Sequence, residues 1–315
     1  AFVLFRVPAK SLKRLGSTCK QWNALFENER FTKKHYCKAP KQSMILMLLN
    51  SKVCPMNVNL KVSTPSIEFK SALSLKNSNS NSKEVDITGV FHCDGLLLCF
   101  ANDNKLVAWN PCLGETRWIQ LKTDYKKGSM KSNKPFVEFE IYEFSSDSWK
   151  VFDKFSLEFI KPVHNGLSFN FTTERFKRLC LPPIQDSDWI VLSLAREEQL
   201  SVLYSNYHTS NIDVWIANSI DDTRATLSWR KSFTVELKVP AISVFISVKS
   251  PSFLIDEDKK VVVCCDSSHY MVNVIGEDNT YYTEHPLVPS QGPLLWYPCI
   301  FSYVPSLVRI QRSKG

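Results

Sequence analysis

Glycine is scarce in this sequence, with nine residues among 315. Gly-rich loops that cradle phosphates or dinucleotides are thereby excluded, and no Gly-x-Ser-x-Gly, His-Glu-x-x-His or phosphate-loop pattern occurs. Long apolar runs are missing as well. The longest, Met44 to Leu49, falls far short of the roughly eighteen residues that a membrane helix needs, so no membrane partner is expected. The chain opens on Ala1-Phe2-Val3-Leu4-Phe5 with no basic stretch before it and no small-residue cleavage site after it. No secretory signal is expected, and the missing initiator Met is what a fragment would show. Ten cysteines are an even number, yet no Cys-x-x-Cys pair occurs. Cys93, Cys99, Cys112, Cys264 and Cys265 fall inside apolar or strand-like runs, which points to buried reduced thiols rather than disulfides. The one close His/Cys pair, His92-Cys93, projects to opposite faces of a strand, so no metal site is expected. Asp256, Glu257 and Asp258 are adjacent acids that read as a solvated hairpin tip. No catalytic constellation and no cofactor are expected, and the chain reads as a non-enzyme.

Charge is present but unevenly placed. The net formal charge is +8, and residues 1–41 carry ten Lys/Arg against the two acids Glu27 and Glu29. The rest of the chain holds 29 of the 39 basic and 29 of the 31 acidic residues and is neutral. A segment of this kind calls for an acidic partner. Nucleic acid is the weaker choice, because Lys10, Lys13, Lys20, Lys33 and Lys34 interleave with an apolar face that must itself be covered.

From Pro8 to Phe26 the apolar residues Leu12, Leu15, Cys19, Trp22 and Leu25 recur in steps of three and four, which is helical spacing. Pro8 suits a helix start, Gly16 with Ser17 and Thr18 suits a break, and Ser17 or Thr18 could cap a second helix. Asn28 could cap a third, carrying Phe31 and His35. Three short helices around Trp22 and Phe31 would form a small α unit. Residues 70–84 are a Ser/Asn-rich tract expected to be a loop. Beyond it, short β-branched and aromatic runs alternate with turn residues to the C-terminus. A hairpin theme recurs there: a strand ending in an aromatic, a polar turn, and an aromatic opening the next strand. It occurs at Trp109 with Trp118, Phe144 with Trp149, Phe171 with Phe176, and more loosely at Trp215 with Trp229. Trp109, Trp118, Phe144, Trp149, Phe171 and Phe176 are expected in the sheet cores. Propeller blades repeat every 40 to 50 residues or so. The interval from Phe144 to Phe171 is too short for four strands, so an incomplete blade is expected. An irregular β-sandwich is the alternative.

The stretch Arg6-Val7-Pro8-Ala9-Lys10-Ser11-Leu12 through Trp22-Asn23, followed by Phe31 and His35, resembles the F-box of plant F-box proteins. Asp94-Gly95-Leu96-Leu97-Leu98-Cys99, Trp109-Asn110-Pro111, residues 171–176, Phe253-Leu254-Ile255-Asp256-Glu257 and Ser302-Tyr303-Val304-Pro305-Ser306-Leu307 resemble the F-box-associated domain of type 1. The motifs follow the family's order over nearly the whole chain. The resemblance implies a mainly β, kelch-like β-propeller at 42–315, with an incomplete blade, preceded by a small helical, partial F-box at 1–41. Strands that family members carry between the Trp118 and Tyr142 hairpins, and between Gly166 and Phe169, look shortened here. The family's F-box opens with a Leu-Pro helix, and Ala1–Phe5 stand where that helix should end.

The implied function is recruitment of a substrate protein to a cullin-based ubiquitin ligase. The helices would dock on a Skp-family adaptor, and through it a cullin, while the β domain holds the protein to be modified. The ligase chemistry belongs to other subunits, which act by raising local concentration and orienting a lysine. The adaptor contacts expected are Val7, Pro8, Leu12, Leu15, Cys19, Trp22 and Leu25. An intracellular location, cytoplasm or nucleus, goes with this role. The alternative is a protein-binding scaffold or truncated pseudo-adaptor that no longer couples to the ligase.

Overall fold

A computed structural model of the chain describes residues 3–61, 65–75, 84–101, 105–121, 136–156, 165–183, 189–195, 199–205, 211–221, 226–236, 252–266, 270–277, 282–287 and 298–310. Three short helices come first: α1 (Ala9–Gly16), α2 (Lys20–Glu27) and α3 (Glu29–Lys38), after a 3-10 turn at Leu4–Arg6. Twenty strands follow and no further helix is found among the described residues. Two compact units are formed. One takes in Ala1–Tyr125, His269–Met271 and His285–Gln311; the other takes in Lys126–Ser268, Val272–Glu284 and Arg312–Gly315.

In the first unit, strands β1 (Met44–Leu49), β2 (Lys52–Asn59) and β3 (Ser66–Phe69) pair with the last strand, β20 (Cys299–Tyr303), in the order β20-β1-β2-β3. Met44 lies opposite Tyr303 and Leu48 opposite Cys299, so the two ends of the β region are tied in one ladder. A second sheet runs consecutively through β4 (Ile87–Cys93), β5 (Leu96–Ala101), β6 (Lys105–Asn110) and β7 (Glu115–Gln120). Leu46, Leu48, Val53, Ile87, Leu97, Cys99, Val107, Trp109 and Tyr303 form their common core. The Ser/Asn-rich tract contributes to that core. Lys70–Leu75 has no strand, yet Leu75 is buried and Leu73 half-buried against it, held by the bonds Leu73 N–H to Val53 O and Val85 N–H to Leu75 O. Its residues 76–83 lie outside the described residues.

The second unit begins with two hairpins. β8 (Phe136–Glu143) pairs with β9 (Ser148–Ser156), and β10 (Asn165–Asn170) with β11 (Arg175–Cys180); each forms a sheet of two strands. Complete four-stranded sheets follow: β12 (Trp189–Ala195), β13 (Gln199–Ser205), β14 (Asn211–Asp221) and β15 (Thr226–Glu236), then β16 (Ser252–Asp256), β17 (Val261–Asp266), β18 (Met271–Gly276) and β19 (Tyr282–Pro286). Leu203, Ile212, Val214, Phe233, Val235, Phe253, Val262 and Ile275 share one core. The fold is mainly β; among the described residues β8–β9 and β10–β11 are sheets of two strands, whereas the other sheets have four.

Several expectations are corrected. Of the aromatics expected in the sheet cores Trp109 is buried, Trp118, Phe144, Trp149 and Phe176 are half-buried, and Phe171 is 78% exposed because it falls in the turn after β10. Cys93 is exposed, although Cys99, Cys112, Cys264 and Cys265 are buried, and none of the ten cysteines is in a disulfide. Burial pushes the Cys99 thiol up to about 12. Glu257 is not a free solvated turn residue: Arg230 pairs with it, and Ser232 Oγ donates to its Oε1 at 3.0 Å.

Candidate partner-docking module

Pro8, with φ −58° and ψ 148°, fixes the entry to α1, and the N–H groups of Ser11 and Leu12 both reach its carbonyl. Ser17 and Thr18 do not cap α2 as expected. Their hydroxyls turn back and donate to Arg14 O and Leu15 O, both at 2.7 Å, closing α1 instead, and Cys19 takes the cap position of α2. Asn28 does cap α3, its Oδ1 accepting from Phe31 N–H at 3.2 Å. Gly16 lets the helices cross closely, since a Cβ there would sit 3.1 Å from the Phe26 ring.

The core of the helices is Ala9, Leu12, Phe26 and Phe31, joined by Cys112 and Leu307, with Leu4, Phe5, Val7, Leu15 and Leu25 packed around it. Phe31 stacks on Phe5 at 5.1 Å and lies 5.5 Å from Phe26. Trp22, expected near the centre, stands 39% exposed on the outer face of α2. Phe26 replaces it. Spacing by four from Trp22 was the available signal, but Leu25 satisfied the same pattern one position earlier. Of the seven expected contact residues, Leu12 is fully buried at 0% and is covered on all sides by the chain itself. Val7, Pro8, Leu15, Cys19 and Leu25 are half-buried and, with Trp22, keep surface open to a partner.

His35 closes the inner side of α3. It is 2% exposed, its Nε2 lies 2.7 Å from Val7 O, and its Nδ1 finds no partner. A carbonyl can only accept, so Nε2 carries a proton, and burial holds the imidazole below its ordinary value, with the Val7 bond acting in the opposite direction. A shallow cleft runs beside it, lined among others by Pro8, Lys10, Lys41, Val304 and Pro305. Around the helices Lys10, Lys13, Arg14, Lys20, Arg30, Lys33, Lys34, Lys38 and Lys41 are all exposed. Only Lys33 meets an acid on its own helix, Glu29 at 2.7 Å. The surface is therefore cationic around a half-exposed apolar ridge from Leu15 through Cys19 and Trp22 to Leu25. No helix among the described residues is long and apolar enough to cross a membrane.

A short basic helical module thus precedes a β domain built from antiparallel hairpin sheets. Comparison with known sequences gives the family. The profile described as "F-box associated beta propeller domain" matches residues 44–168 and 161–310. The chain is 47% identical to "Putative F-box only protein 9" of Arabidopsis thaliana, over 99% of this chain and 94% of that protein. It is 44% identical to "F-box protein At3g22700" of the same plant, over 89% of this chain and 94% of that protein. It is also 36% identical to "F-box/kelch-repeat protein At3g44120", over 98% and 94%. The chain belongs to the F-box proteins that carry an F-box-associated β-propeller domain.

Proposed function

We propose that this protein is the substrate-recruiting subunit of a cullin-based ubiquitin ligase, with residues 1–41 as the docking module and the β domain from residue 42 as the holder of the target protein. The observation that carries this reading is the family domain joined to helices whose exposed surface is both cationic and apolar. A Skp-family adaptor is the partner this surface suits. Acidic side chains on the adaptor would meet Lys13, Lys20 and Arg14, while Leu15, Cys19, Trp22 and Leu25 would supply the apolar contact area. Val7 and Pro8 would extend that area at the start of α1. Leu12 serves from beneath by holding the helices together. Binding energy in such interfaces concentrates in a few large, half-buried side chains, and Trp22 is the prime candidate.

The test is co-purification with a Skp-family adaptor. The full chain captures it, and Trp22→Ala weakens capture at least tenfold while leaving the melting temperature unchanged. A chain that captures no adaptor at any salt concentration overturns the ligase reading. Capture that collapses steeply between low and moderate salt in both variants would point to charge alone and remove Trp22 from the interface.

A further inference from the structure

The docking helices do not complete their own core. Ala9, Leu12, Phe26 and Phe31 are closed over by Cys112, from the turn between β6 and β7, and by Leu307, from the segment after β20. That segment is tied to the β4–β7 sheet at several points. Asn110 Nδ2 donates to Ser306 O at 3.2 Å and to Val308 O at 2.7 Å. Ser306 Oγ donates to Asp94 O at 2.8 Å, and the Tyr303 hydroxyl to Gly95 O at 3.3 Å. Arg309 then divides its guanidinium between two elements. One nitrogen lies 3.0 Å from Glu27 on α2 and the other 2.8 Å from Glu115 on β7, while Ile310 N–H donates to Glu115 Oε2 at 3.3 Å.

We propose that Tyr303–Ile310 is a strap that holds the docking helices in their folded arrangement, so that the docking face exists only while the strap is seated on the β4–β7 sheet. Helices of eight to ten residues are marginal on their own, and their stability comes from the apolar face they bury. Here Leu307, at 1% exposure, is one of the two side chains from outside the helices in their buried core. Arg309 is a positioning residue: its planar fork spans a helix carboxylate and a sheet carboxylate at once, which fixes the angle of α2 over β7. The consequence for adaptor docking rests on the proposed ligase role, but the strap itself does not. A chain whose β20–β1 ladder has not formed would present no ordered docking face.

Hydrogen exchange on the full chain, without any partner, tests this directly. Leu307→Ala should raise amide exchange across α1–α3 at least tenfold and leave β12–β15 unchanged. Arg309→Ala should raise it three- to fivefold with the same selectivity. Arg309→Lys, which can reach one carboxylate but not fork between two, should recover part of the lost protection. Unchanged exchange in α1–α3, or a rise shared equally by β12–β15, overturns the strap. Should Leu307→Ala fail to fold, Arg309→Ala decides in the same two directions. Adaptor capture by the unaltered chain is read separately, so failure of the ligase reading and failure of the strap give different results.

Discussion

From β12 to β19 every strand finds its hydrogen-bonded partner next in sequence, and the core drawn from Val191 to Ile275 is built from those same neighbours. The N-terminal helices are the opposite case, since two of their six core side chains, Cys112 and Leu307, come from far along the chain. Local pairing lets a region be stable by itself, whereas a borrowed core makes one region's order depend on another's. The largest expected effect that could break this contrast is in the sheets. Phe253 is 1% exposed in the β12–β19 core, and Phe253→Ala should cost about 3–5 kcal/mol there by leaving a cavity. Denaturant unfolding with exchange mapping should show β12–β19 loosening while α1–α3 keep their protection. Loss of protection in the helices at the same denaturant concentration would show that the regions are not separable in this direction.

Gly95 probes the dependence from the other side. Its φ is +76°, a conformation that side chains disfavour, and an added Cβ would run into Ser306 and sit 2.7 Å from the carbonyl of Val304. Gly95→Ala should cost on the order of 3 kcal/mol and lift the segment carrying Leu307, so that α1–α3 lose protection although the substitution lies in a β-turn. A variant that loses the same stability but keeps the helices protected would mean that Leu307 reaches the helical core by some route other than the seat at Gly95.

What could be read from the sequence follows the same division. The hairpins around Trp109, Trp149 and Phe176 were legible because strand, turn and strand adjoin, and alternation plus turn residues carry the information. The charge of the helices and the Asn28 cap were legible for the same local reason. Leu307 and Arg309 were not, since nothing near position 307 says that a helix more than 280 residues earlier needs cover. Phe171 shows the limit within the sheets: its spacing matched the hairpin theme, but it falls in the turn after β10 rather than in the strand, where no sheet face covers it. Glu257 was misjudged likewise, because Arg230 and Ser232 reach it from β15, outside its own turn.

The smallest expected effect concerns His35, where a titration reports on the helices alone. The folded state holds the imidazole below its ordinary value of 6.5 through burial. The unfolded chain therefore binds more protons than the folded one at any pH between the folded and unfolded values. Stability is intact above that ordinary value and falls as pH drops below it, with a slope of at most about 1.4 kcal/mol per pH unit for one group. Protonation would also place a positive charge in the cleft that Lys10 and Lys41 already line. His35→Gln retains an amide able to donate to Val7 O but cannot titrate. Between pH 7 and 5.5 the unaltered chain should lose helix protection that His35→Gln keeps, with β12–β15 equal in both. An identical pH profile in the two chains would mean that the ring stays neutral throughout, and that acid sensitivity of the helices has another source.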